Sequence, residues 1–237
     1  MSVLKQLKAL GTAKKRAAAV RVGIPMARAY GVSVGDIRAL AKTLKGQHGL
    51  AEPLWASGVH EARLLALMVA DAGTMTRAAI ERWLDDVASW DLCDHLCGEL
   101  VWMRRDMPAL VKRWAASRDL YVKRAAFAAI ATAAVHDKRM GDGVIEEYLT
   151  LIAAGADDER KHVKQAVSWA LRSLGKRDAG CQERALAVAA ELVENESAAA
   201  RWVGRDAITE LENRTVRARV TDRRKPARTR ATPKPAR

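Results

Sequence analysis

Aromatic residues are scarce in this chain. They make up 5% of its 237 residues, with one Phe and three Tyr, so the seven Trp account for most of them. β-branched runs are rare, and no segment alternates apolar and polar residues over the length of a strand, which argues against a sheet protein. No apolar run approaches the roughly 18 residues of a membrane span, and Met1 to Leu10 lacks the apolar core of a signal peptide. A cytoplasmic protein with no membrane partner is expected. Three cysteines are too few for a disulfide framework, which fits a reducing compartment. Cys93, His95 and Cys97 are spaced like metal ligands, but on a helix the two thiols share the apolar arc while His95 points away. No second Cys/His pair completes a site. Neither a metal nor a cofactor is expected.

What the chain does have is Ala, cationic side chains and helical periodicity. Hydrophobic residues are 49% of it and the net charge is +13, a composition that predicts an all-α protein with a core ample for independent folding. Gly31, Gly46, Gly58, Gly73, Pro108, Gly141 and Gly155 punctuate the pattern, and helices are predicted throughout 12–212, among them a short one at 25–29 and a long one at 90–105. Thr74, Ser89, Ser117 and Asp157 are placed as caps. From Leu54 onward helix pairs recur at roughly 30–40 residues, the spacing of HEAT-type repeats. Stacked pairs of that kind form a solenoid whose concave wall is the usual binding surface. The domain is therefore drawn over 1–213. Beyond it, 214–237 carries ten Lys or Arg against the single acid Asp222, a net +9 of the chain's +13. That segment, with three prolines and few large apolar residues, is expected to be a disordered basic tail. It suits nonspecific phosphate contact, or is simply solvated without a dedicated partner.

One stretch, Trp90 to Gly98, organises the rest. Drawn as a helix, it gives Leu92, Cys93, Leu96, Cys97, Leu100, Val101 and Met103 one apolar arc with Trp90, and sets Asp94 one turn after Trp90 at the border. A carboxylate there must be paired, hydrogen-bonded or left facing a cleft. Gly98, a further turn along, adds no side chain over that strip, which predicts a notch with an acid at its floor and an indole at its wall. In 120–135 the wheel puts Arg124 on the face that should be buried. In 161–176 Trp169 falls off the apolar stripe, beside His162, Gln165, Arg172, Ser173 and Lys176, as an exposed indole ringed by cations. Each has a plainer reading. Asp94 can complement a helix N-terminus, Arg124 can be a buried ion pair with Asp91 or Asp94, and Trp90 can be core. Trp55, Trp83 and Trp114 read as core, and Trp102 and Trp202 are left open.

Three segments carry a resemblance: Ser-Trp-Asp-Leu-Cys-Asp (89–94), Tyr-Val-Lys-Arg-Ala-Ala-Phe (121–127) and Val-Lys-Gln-Ala-Val-Ser-Trp-Ala-Leu-Arg (163–172). Together with 31–42 and 54–63, in order over about 20–210, they resemble the AlkD-type DNA alkylation-repair glycosylases. The resemblance implies a HEAT-like repeat fold and the release of N3- and N7-alkylated purines from duplex DNA, without a deep pocket for a flipped base. It also implies a cleft aspartate at Asp94, cleft tryptophans at Trp90 and Trp169, and a phosphate-gripping arginine at Arg124. Lys123, Arg160, Lys161, Lys164, Arg172 and Lys176 are then candidate backbone contacts, and the protein is expected to act on nucleoid DNA as a monomer. An aromatic usually follows the arginine of the first conserved helix in this family, but here Val22 follows Arg21, and Gly35 stands where proline is common. The alternative is a noncatalytic HEAT-repeat module that binds damaged or unusually shaped DNA. A protein-binding solenoid is a third reading.

Overall fold

Short polar residues start half of the helices. The side chains of Ser2, Thr12, Ser33, Thr76, Asp119, Asp178 and Ser197 each accept a backbone N–H of the following first turn, satisfying donors that have no partner within the helix. The structure, a computed structural model, describes residues 2–25 and 27–222. Its regular elements are all helical: α1 (Val3–Leu10), α2 (Ala13–Arg21), α3 (Val34–Thr43), α4 (Ala51–Ala56), α5 (His60–Val69), α6 (Arg77–Asp85), α7 (Trp90–Leu96), α8 (Met107–Ala115), α9 (Leu120–His136), α10 (Asp142–Gly155), α11 (Lys161–Gly175), α12 (Ala179–Val193), α13 (Ala198–Leu211) and α14 (Arg214–Asp222). None of these is long and apolar enough to cross a membrane.

The helices stack as antiparallel pairs in two layers. One layer runs α3, α5, α7, α9, α11, α13, each packed on the next, and α4, α8, α10 and α12 back onto it. Polar links join successive repeats at near-constant sequence offsets. His60 Nε2 lies 2.9 Å from Asp91 Oδ2, 31 residues on; Trp55 Nε1 donates to Asp86, also 31 on; and Arg124 binds Asp94, 30 back. Between α11 and α13 the offset becomes 38, with Ser168 donating to Asp206 and Arg172 to Glu210. Trp55 and Trp83, both buried, stack with centroids 4.4 Å apart and rings nearly parallel, so these two indoles and Trp114 are core as expected.

Two close approaches fix the site's edges. Glu61, 1% exposed, accepts the backbone N–H groups of Tyr30, Gly31 and Val32. Gly31 has φ +80° and a Cβ there would lie 2.4 Å from the Thr12 carbonyl oxygen. The carbonyl of Gly31 in turn accepts the Thr12 N–H at the head of α2. A buried acid of the inner layer thereby holds the segment that presents Arg21 and Val22. At the other end, a Cβ on Gly204 would meet the Ala189 carbonyl oxygen at 2.5 Å and Val193 N at 2.9 Å. Backbone cannot yield as a flexible side chain can, so Gly204→Ala is expected to separate α12 from α13 and cost about 1–3 kcal/mol. A urea midpoint unchanged from wild type would refute it.

The structure differs from the sequence reading in several places. Among the described residues of the helix expected at 25–29, Ala27 and Arg28 form a turn and Pro25 and Ala29 no regular structure, with the Arg28 carbonyl accepting the His60 N–H at the head of α5. The predicted helix at 90–105 ends at Leu96 and continues as a π-helical turn, Cys97–Val101, in which Trp102 N bonds the Cys97 carbonyl. The wider turn slips the helical phase, leaving Met103, placed on the apolar arc, 51% exposed. Thr76 and Asp119 cap where Thr74 and Ser117 were expected. Ser89 holds the cap position of α7 without a side-chain cap bond, and Arg160 rather than Asp157 precedes α11. Residues 214–222, expected to be disordered tail, form α14, anchored by Val220 at 2% exposure. The rest of the tail, 223–237, lies outside the described residues.

Candidate functional site

Trp90 and Asp94 stand one turn apart on α7, and neighbouring elements bring the rest of the site to them. α9 contributes Arg124, α11 contributes Lys161, His162, Gln165, Trp169 and Arg172, α13 contributes Trp202 and Asp206, and the end of α2 contributes Arg21 and Val22. These side chains line one groove of about 650 Å³. Gly98 is not part of it; a Cβ there would meet open space. The notch at Asp94 is bounded instead by Trp90, the α2 terminus and α11.

Asp94 is the chemical centre. Its Oδ1 accepts Arg124 Nε at 2.9 Å and its Oδ2 accepts Nη2 at 2.8 Å, a forked pair. Arg124 Nη1 donates to the His162 carbonyl at 2.5 Å, which ties α7, α9 and α11 together. The Arg124 side chain is 6% exposed, while that of Asp94 keeps 21% of its surface. Each carboxylate oxygen retains a second lone-pair direction, so the acid is paired and still addressable from the groove. Burial pushes the Asp94 carboxyl above its ordinary value, against the charge and hydrogen bonds of Arg124. Burial and then the charges of Arg124 and Lys161 push the His162 imidazole down. Its Nδ1 is buried without a hydrogen-bond partner, and the ring stacks on Tyr121 with centroids 6.3 Å apart.

The indoles frame the acid. Trp90 Nε1 donates to the Val22 carbonyl at 3.0 Å, fixing the ring against the α2 terminus, and the Arg124 guanidinium lies 5.9 Å from the ring centre. Val22 itself is 57% exposed at the lip of the groove. Trp169 is half-buried, packed on the edge of the core, rather than fully exposed, and Ser173, expected on the polar side of α11, is 4% exposed. The α11–α13 contact covers that face, a partner a single helix wheel does not show. Trp202, left open from sequence, is 38% exposed and lines the same groove, whereas Trp102 packs away from it against His136.

The cations divide into two groups. Arg124, expected to grip phosphate, has its fork committed to Asp94 and its remaining terminal nitrogen to a carbonyl, so its geometry is that of the buried pair. Lys123 and Arg160 both bind Asp158, whose carboxyl those partners hold well below the usual range against the effect of burial, the Arg160 hydrogen bond most of all. Arg172 binds Asp206 and Glu210, and Lys176 binds Glu210. Four expected phosphate contacts are thus offset by acids that lie 34–38 residues away or, for Arg160, two residues before it. Among the described residues Lys161 and Lys164 have no acidic partner; Lys161 lines the groove and Lys164 sits 5.2 Å over the Trp202 ring. Asp206 and Trp202 went unassigned from sequence. The signal was the offset of 38 that relates Lys164 to Trp202, Ser168 to Asp206 and Arg172 to Glu210. Cys93 and Cys97 are fully buried, their thiols facing the Tyr121 and Ala125 carbonyls, and burial pushes the Cys93 thiol up. Among the described residues no three His, Cys, Asp or Glu gather as a metal site would require.

A family model described as DNA alkylation repair enzyme matches residues 3–211. Among solved structures, the chain is similar to one described as a new family of proteins related to the HEAT-like repeat DNA glycosylases with affinity for branched DNA structures. The TM-score is 0.75 at 20% identity, over 92% of this chain and 94% of that one. At that identity the likeness speaks for the fold, a HEAT-like helical repeat. No curated protein matches the sequence.

Proposed function

Because the chain belongs to the family of DNA alkylation repair enzymes, we propose that it is a monofunctional glycosylase that releases N3- and N7-alkylated purines from duplex DNA. The observation that carries this reading is the convergence of Asp94, Trp90 and Trp169, from two helices whose heads, Trp90 and Lys161, lie 71 residues apart in sequence, on one open groove. A purine alkylated at N3 or N7 is positively charged and leaves without a general acid. What it needs is support for an oxocarbenium-like sugar and a placed water. One half-buried carboxylate supplies both, as carboxylates do in glycoside cleavage. Indole faces favour cations and hold the charged sugar or base beside it. The groove is open and lined by residues of five helices, so it admits a lesion that stays near the duplex stack. Lys161, Lys164 and Arg21 supply phosphate contacts at its rim. We take the protein to act as a monomer on chromosomal DNA in the cytoplasm.

One observation favours a second reading. Both Asp94 oxygens are already engaged by Arg124, and the structural neighbour is described by its affinity for branched DNA. A noncatalytic module that binds DNA of unusual shape would use the same groove without chemistry. Release of free 7-methylguanine or 3-methyladenine from methylated duplex separates the two. The glycosylase liberates base in proportion to protein, and salt-sensitive duplex binding with no base released would establish the binder.

A further inference from the structure

Trp202 stands off the buried stripe of α13, which runs through Ala199, Ala200, Val203, Ala207 and Leu211. It opens into the groove at 38% exposure. The side chains below it on the same face are committed to α11: Asp206 to Ser168 and Arg172, and Glu210 to Arg172 and Lys176. Those bonds lock the register of α13 on α11, and the same register sets the Lys164 ammonium 5.2 Å over the Trp202 ring. Lys164 has no acidic partner among the described residues, in contrast to Arg172 and Lys176 along the same helix. An ammonium on four flexible carbons loses rotamer freedom when it grips a phosphate, and an indole beneath it removes part of that loss in advance.

We propose that Trp202 and Lys164 form one composite contact for a DNA backbone phosphate, in which Lys164 meets the phosphate and Trp202 is a positioning residue that holds the ammonium at the groove rim. The pair takes the duplex as its ligand and so rests on the reading above, but on its DNA-binding part only. Its role is to bind the strand: Trp202 lines the groove that holds Asp94, but α9 and α11 stand between α7, which carries Asp94, and α13.

The test is duplex affinity, read by anisotropy with unmodified duplex over a range of salt, with release of 7-methylguanine by the wild-type protein measured beside it. Lys164→Gln is expected to weaken binding on the order of tenfold at low salt and to lower the salt slope by about one phosphate. Trp202→Ala should weaken it about three- to fivefold, the size of an exposed cation–π contact, and Trp202→Phe should recover most of that. The double variant Lys164→Gln/Trp202→Ala should bind no worse than Lys164→Gln alone, because the indole acts through the ammonium. Fully additive losses, or unchanged affinity in Trp202→Ala, would each overturn the proposal. If the wild-type protein releases no base, the glycosylase reading fails, while the affinity measurements still decide the Trp202–Lys164 pair.

Discussion

Asp94→Asn is expected to slow release of 7-methylguanine on the order of 10²–10³-fold, the range seen when a single preorganised electrostatic group is removed. Affinity for unmodified duplex should stay within about twofold, since that term comes from phosphate contacts made elsewhere. The substitution is nearly isosteric, so it isolates charge from shape. It takes away the negative charge that supports the sugar cation and halves the groove-facing acceptor capacity. The same acid dictates the pH dependence. Burial raises the Asp94 carboxyl above 3.8, and the ionised form is the useful one, so release should fall as pH drops through that raised value, beginning above the ordinary carboxylate range. The stability sign is opposite. The folded state holds this proton more tightly than the unfolded chain does, so Asp94's contribution to stability declines as pH rises from 3.8 through the folded value. An activity profile flat down to the ordinary carboxylate range, or an Asn variant as fast as wild type, would remove Asp94 from the chemistry.

Much of this arrangement is legible in the sequence, and the parts that are not have physical reasons. Trp90 and Asp94 announce themselves because four residues on a helix make one turn, and Arg124 because a cation falls on an otherwise apolar face. The repeat is legible in the spacing of helix pairs, although the repeats share little sequence. The π-helical turn at Cys97–Val101 is not, since its residues suit an ordinary helix as well. α14 was hidden by its charge: Val216 and Val220, one turn apart, give an apolar stripe too thin to outweigh the cations around it. Amphipathic α1 went unassigned, though Leu7 within it is fully buried. The cations on α9 and α11 mislead most. Composition counts Lys123, Arg172 and Lys176 as positive charge available to DNA, but the partners Asp158 and Glu210 become visible only when the repeats are stacked. Charge available to a ligand is net of such pairing, and only the register between helices determines it.

Arg124→Ala is expected to destabilise the fold by about 2–4 kcal/mol, because removing one partner of a buried pair strands the other charge. Three links go at once: both bonds to Asp94 and the one to the His162 carbonyl that joins α9 to α11. A urea denaturation midpoint reads the loss, and the double variant Arg124→Ala/Asp94→Asn should recover part of it, since the stranded charge is then gone. Arg124→Lys should fall between, because an ammonium keeps the charge but cannot form the fork. The pH profile moves as well. Arg124 is what holds the Asp94 carboxyl down against burial, so in Arg124→Ala the acid limb of base release should shift to higher pH, with a larger deficit at pH 6 than at pH 8. The competing role makes a different forecast. An arginine whose task is to grip phosphate would, when removed, lower duplex affinity and the salt slope and leave the urea midpoint where it was. Observing that pattern would return Arg124 to the strand and leave Asp94 held by something other than its fork.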